Sequence, residues 1–197
     1  MISKYDLVFL VGSIEDKYFW SVRELILSNN TDLLITIVPD TLQLKHNKSS
    51  IKPHSTESFL LIDNSNFSFI TICVIQDICS VLLLPTLICI DYSDIKQALI
   101  GRVGSALFIE SRIKDSIKLF KKILSEHLND IILSNSFILI NSYDYTVDAS
   151  DASFEHMENI SEQLFSVIKE DSEAIWSSTD IQKLNTEFRV MLIFTKN

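Results

Sequence analysis

From Ser65 to Ile90 the chain carries a single charged residue, Asp77, over a span long enough to cross a bilayer. Two arrangements accommodate such a stretch. One is a membrane helix; the other is a helix packed between layers of protein and therefore apolar on all sides. Asp77 lies near the middle, Pro85 breaks the helix, and no Lys or Arg flanks either end closely. We therefore read Phe67 to Leu84 as the buried central helix of a layered protein, with no membrane insertion.

Periodicity supplies the layers. Leu7 to Val11 and Leu33 to Val38 are short apolar runs with β-branched residues, as expected of buried parallel strands. Between them, Phe19, Trp20, Val22, Arg23, Leu25, Ile26 and Leu27 recur at helical spacing, giving a βαβ unit that Asn29-Asn30 would end. Pro39 to His54, rich in Lys, Asn, Ser and Thr, is expected to be a mobile loop. Ser93 or Asp94 is the expected N-cap of a helix carrying Ile95, Ala98, Leu99, Val103 and Leu107, with Gln97 as capping-box partner of Asp94. Another helix places Ile113, Ile117, Phe120, Ile123 and Leu124 inward and Lys114, Lys118, Lys121 and Lys122 outward. Phe137 and Leu139, then Phe188, Val190, Leu192 and Phe194, read as strands. The fold class is α/β.

Composition narrows the chemistry. The 197 residues are 47% hydrophobic, which excludes disorder. A net charge of −9 excludes nucleic acid as a partner and suits a basic protein instead. Cys73, Cys79 and Cys89 are odd in number and lack Cys-x-x-Cys spacing, so they read as reduced thiols in a cytoplasmic protein. No basic segment or small-residue cleavage site follows Met1, and no signal peptide is expected. His46 and His54 fall in the polar loop, and His127 and His156 on helix surfaces; none has metal-ligand spacing, so no metal is expected. Asp144, Asp148 and Asp151 lack the Gly and terminal Glu of a calcium loop. No Gly-x-Ser-x-Gly elbow offers a nucleophile. Gly12, Gly101 and Gly104 are the only glycines, too few for a phosphate-binding or dinucleotide fingerprint, so no cofactor is expected. Tyr18, Phe19 and Trp20 read as core or, where exposed, as anchors for a protein interface.

The segment Thr86-Leu-Ile-Cys-Ile-Asp-Tyr-Ser-Asp-Ile-Lys-Gln-Ala-Leu99, followed by Gly-Arg-Val-Gly-Ser-Ala-Leu-Phe108, resembles the acidic catalytic loop and following helix of the FtsZ/tubulin family. The resemblance continues in family order. Tyr5 to Leu10 resembles the strand entering the Gly-rich phosphate loop, Asp32 to Val38 the next strand, and His54 to Asn64 the segment leading to the central helix. Asn135 to Asn141 and Glu187 to Thr195 resemble strands of the C-terminal domain, separated by a helix around Phe154 to Lys169. The resemblance implies a partial Rossmann-like half with parallel strands (1–64), a central buried helix and acidic-loop entry (65–90), and a C-terminal α+β domain (91–197). In the family one subunit binds GTP, and the next presses the two loop aspartates against the γ-phosphate. Asp91 and Asp94 match those aspartates, and Cys89 replaces the usual asparagine.

The departures define the expected function. Where the family has Gly-Gly-Gly-Thr-Gly-Thr-Gly, this chain has Gly12-Ser-Ile-Glu-Asp-Lys-Tyr-Phe-Trp20. A phosphate cradle needs backbone N–H groups converging without Cβ atoms in the way, and the carboxylates of Glu15 and Asp16 would repel the anion. The family's guanine-contacting Asn-Asp pair aligns approximately with Ser68 and Phe69. The resemblance thus implies a degenerate GTPase scaffold that binds no nucleotide and is not an enzyme by itself. Three roles follow as expectations: a protein-binding module that caps or modulates FtsZ filaments, an immunity protein that neutralises a cognate toxin, or a GTPase-activating partner acting in trans through Asp91 and Asp94.

Overall fold

Leu7–Val11 forms strand β1, Phe19–Ser28 helix α1 and Leu33–Asp40 strand β2, as the apolar runs predict. Asn30, at φ 55°, turns the chain between α1 and β2, a left-handed conformation that Asn tolerates. Glu57–Asp63 is β3, Phe67–Leu83 the central helix α2, and Tyr92–Leu99 the short helix α3. The second half contains β4 (Val103–Ser111), α4 (Ile113–Glu126), α5 (Leu128–Leu133), β5 (Ser136–Asp144), α6 (Phe154–Phe165), β6 (Glu173–Ile181) and β7 (Phe188–Lys196). This computed structural model describes residues 6–41, 51–84, 86, 88–144, 154–181, 184 and 186–196.

The strands form one sheet in the order β1-β2-β3-β4-β7-β5-β6. β7 runs antiparallel to both its neighbours, β4 and β5, and every other pairing is parallel. Helices cover both faces, the arrangement that buries a parallel sheet. On one face, α2 and α3 place Ile70, Val74, Ile78, Ile95 and Leu99 against alternate residues of β2 to β5 and β7. On the other, Phe19 of α1 packs with Val38, Ile51, Phe59 and Leu61, while α4, α5 and α6 pack on β4, β5 and β7.

Several expectations are corrected. The helix starting near Asp94 does not run on to Leu107: it ends at Leu99, and Val103 and Leu107 belong to β4. Gly101, at φ 73°, makes the break. At Gly104 the β7 backbone comes so close that a Cβ would strike the carbonyl oxygen of Phe194. The cap of that helix is Asp91, not Ser93 or Asp94, and Asp94 is its capping-box partner in place of Gln97. The helix expected to reach Lys169 ends at Phe165, and the strand expected to end at Asn141 continues to Asp144. β6 has no apolar alternation and was not expected. The central helix is not apolar-buried all round: Phe69, Ile72 and Leu83 are exposed. By length and composition it is also the one candidate membrane span among the described residues.

Of the predicted mobile loop, Pro39 and Asp40 finish β2 and Ile51 joins the core, whereas 42–50, which include His46, lie outside the described residues. So do Pro85, Asp148 and Asp151. His156 is not a surface residue. Its Nε2 lies 2.9 Å from Ser116 Oγ and its ring meets Phe188 edge-on, and burial pushes the imidazole below its ordinary value.

Candidate functional site

Asp91 and Asp94 are locked into a reciprocal cap. Oδ1 of Asp91 accepts from the backbone N–H of Ser93 (2.7 Å) and Asp94 (3.0 Å) and from Ser93 Oγ (2.8 Å), while Asp94 Oδ2 accepts from the Asp91 N–H (2.9 Å). These bonds satisfy the orphan donors of the first helical turn. The Ser93 hydroxyl, followed by the Asp94 backbone N–H, holds the Asp91 carboxyl below its ordinary value, so it stays ionised at neutral pH. Asp91 and Cys89 are exposed and Asp94 is half-exposed; the Cys89 thiol points to the Thr86 carbonyl at 3.8 Å.

The start of α3 is pinned to the N-terminal end of β1 and β2. Tyr92 donates its hydroxyl to the Asp6 carbonyl (2.5 Å) and to Asp32 (3.1 Å), and Lys96 pairs with Asp32 at 2.7 Å. Burial, and then the hydrogen bond to Asp32, raises the Tyr92 phenol, which stays neutral.

The segment after β1 lies at the other end of that strand. Five of its backbone donors are taken up within the chain. The N–H of Gly12 goes to Ile37 O, those of Glu15 and Asp16 to Ser13, and those of Tyr18 and Phe19 to Asp16. The Asp16 carboxylate, 2.8 Å from the Tyr18 N–H, therefore occupies the N-terminal end of α1, where an anion would bind. A Cβ on Gly12 would come within 2.9 Å of the Phe19 ring. The aromatic trio divides: Phe19 is 5% exposed and belongs to the core, whereas Tyr18 (64%) and Trp20 (41%) face outward. Trp20 is held by an Nε1–H bond to Ile14 O (3.1 Å) and by its edge-on contact with Phe19.

The structure therefore does not bring the candidate residues into one site. Asp91, Asp94 and Cys89 lie at one end of the sheet, and Tyr18 and Trp20 at the other, separated by the length of β1, roughly 17 Å at the usual strand rise. Ser68 and Phe69 are exposed, and the Phe69 ring packs edge-on against Phe108 with centroids 5.2 Å apart.

A cleft of about 510 Å³ opens where β3 and β4 stop pairing beyond Leu61 and Ser105. Asp40, Asp63 and Asp130 line it together with Asn66 and His127, and among the described residues no Lys or Arg does. Among the described residues, no group of three or more His, Cys, Asp or Glu is placed to hold a metal ion.

Sequence reasoning missed two buried ionic groups. Glu57, fully buried, binds Arg23 of α1 through both carboxylate oxygens and also accepts from Thr36 and from the His54 N–H. Asp77 of the central helix binds Arg189 of β7, which also binds Glu110 of β4. A lone charge in an apolar run signals that a partner is needed, but nothing local identifies a residue so distant in the chain.

This architecture is an FtsZ/tubulin-like α/β fold. Among solved structures, an empty FtsZ dimer from M. jannaschii superposes with a TM-score of 0.69 at 16% identity, over 97% of this chain and 63% of that one. The type III plasmid segregation protein TubZ superposes with a TM-score of 0.56 at 10% identity, over 96% of this chain and 63% of that one. TubZ of Bacillus thuringiensis serovar israelensis, in GDP-form protofilaments, gives 0.54 at 9% identity, over 96% and 58%. The chain thus spans about three fifths of the length of these proteins. No protein-family model matches the sequence, and no curated protein does.

Proposed function

We propose that this chain is a non-enzymatic, cytoplasmic protein-binding module on an FtsZ-like scaffold that binds no GTP and caps or modulates filaments of an FtsZ-type protein. The observation that carries this reading is the Gly12–Trp20 segment. The backbone N–H groups of Gly12, Glu15, Asp16, Tyr18 and Phe19 are bonded within the chain, and the Asp16 carboxylate sits at the N-terminal end of α1, where a phosphate would need donors free. The opposite end still presents Asp91, held ionised, together with Asp94 in a reciprocal cap. A subunit able to dock by the acidic end, with no nucleotide at the other, would stop growth at the filament tip.

The test is a GTP-binding titration combined with sedimentation of FtsZ polymer in the presence of this protein. The expected result is no saturable GTP binding and loss of polymer at substoichiometric ratios. Saturable GTP binding would overturn the reading.

Two further readings use the same surfaces. In the first, Asp91 and Asp94 stimulate hydrolysis on a partner's GTP; replacing both by Ala would then abolish the stimulation and leave binding intact. In the second, the net charge of −9 suits stoichiometric neutralisation of a basic toxin. Recovery of one such enzyme, without FtsZ, on the tagged protein would favour this immunity role.

A further inference from the structure

We propose that the seating of the central helix on the sheet is proton-coupled: Asp77, buried with one oxygen unbonded beside an arginine that also binds Glu110, takes up a proton when the chain folds in mildly acidic solution.

Asp77 is fully buried in the apolar face of α2. Its Oδ1 accepts from Arg189 Nη1 (2.9 Å) and Ser142 Oγ (3.2 Å), whereas its Oδ2, also buried, has no hydrogen-bond partner. The same guanidinium gives Nε (2.9 Å) and Nη2 (2.7 Å) to Glu110 Oε1. One cation therefore serves two carboxylates on three elements, α2, β4 and β7. The other described groups facing Asp77 bring no second cation to it. Ser142 of β5 and Gln76, which accepts from Arg189, are neutral, and Cys73, one turn earlier on α2, is pushed up to about 11 mainly by burial and remains a thiol.

A buried carboxylate with an unbonded oxygen is relieved by neutralisation. Asp77 is the group to accept the proton, because Glu110 receives two N–H bonds from Arg189 whereas Asp77 has a bare oxygen. Burial outweighs the attraction of Arg189 and pushes the Asp77 carboxyl up to about 6. A folded-state value above the unfolded one means that stability is fully present below the unfolded value. It is lost as pH rises through about 6. Because α2 packs against strands of both halves of the sheet, protonation at this point tightens the junction between them.

The test is urea unfolding of the full chain between pH 4.5 and 7.5, for the wild type and Asp77→Asn, together with ¹³C NMR titration of the Asp77 carboxyl in the wild type. The carboxyl should titrate near 6. The folding constant of the wild type relative to Asp77→Asn should fall about tenfold per pH unit below that midpoint and level off above it. A wild-type to variant ratio independent of pH, or a carboxyl titrating below about 4, would overturn the proposal. If Asp77→Asn does not fold, Glu110→Gln removes the competing charge and should lower the Asp77 midpoint; an unchanged midpoint would count against the cluster as the cause.

Discussion

Arg23 seats α1 on the N-terminal strands and Arg189 seats the central helix on the C-terminal ones, but the two buried arginines work under different electrostatic conditions. Both oxygens of Glu57 are bonded to Arg23, with Thr36 and the His54 N–H completing its shell, and the second carboxylate on Arg23, that of Glu24, is exposed to solvent. The Arg23 guanidinium also lies near the rings of Trp20 and Phe59, at 5.6 and 5.7 Å from their centroids. Arg189 is divided between Asp77 and Glu110, and one oxygen of Asp77 is left bare. The difference lies in the buried carboxylate: Glu57 has partners on both oxygens, whereas Asp77 keeps one bare, and it is the bare oxygen that makes the fixing of a helix depend on protons.

Replacing the arginines tests this contrast most severely. Arg189→Ala leaves two carboxylates buried without their cation and should destabilise by about 3–5 kcal/mol at pH 7.5 in urea unfolding. Part of that loss should return at pH 5, where Asp77 is protonated; a loss equal at both pH values would erase the difference between the two sites. Glu57→Ala strands Arg23, whose remaining partner Glu24 is exposed, and should cost about 3 kcal/mol with no recovery at pH 5.

The two ends of the sheet give smaller effects. Asp91→Ala removes the cap of α3 and should lower Tm by less than either change above. Because the Asp91 carboxyl lies below its unfolded value, its contribution is present above that value and should fade as pH drops through the folded one, the opposite sense to Asp77. Tyr18→Ala, at an exposed ring, should change stability by no more than about 0.5 kcal/mol. Any larger effect of this variant should appear in partner binding, measured by calorimetry or pull-down.

Elements with a simple repeat were legible in the sequence. Leu7 to Val11 and Leu33 to Val38 are continuous apolar runs that form β1 and β2, and the inward set from Ile113 to Leu124 forms α4 at its expected place. The acidic cap was legible only in part: the helix start fell where expected, but its cap is Asp91 with Asp94 as partner, not Ser93 or Asp94 with Gln97. β6 was not legible. Its Ser177, Ser178 and Thr179 are buried through their pairing with β5, so their environment comes from a neighbour rather than from their own pattern. β4 was read as helix because Ile95, Leu99, Val103 and Leu107 keep helical spacing straight through the turn at Gly101.

By itself the sequence determined the layered α/β plan, the position of the central helix and the start of the helix after it, all of which follow from hydrophobic period and short-range hydrogen bonding. Tertiary structure alone decided that β4 and β7 join the two sets of strands into one sheet, that Tyr18 and Asp91 stand at opposite ends of β1, and that Asp77 shares its arginine with Glu110. Each of these depends on contacts between residues far apart in the chain. Burial, charge balance and a missing hydrogen bond are properties of such meetings, and no single segment carries them.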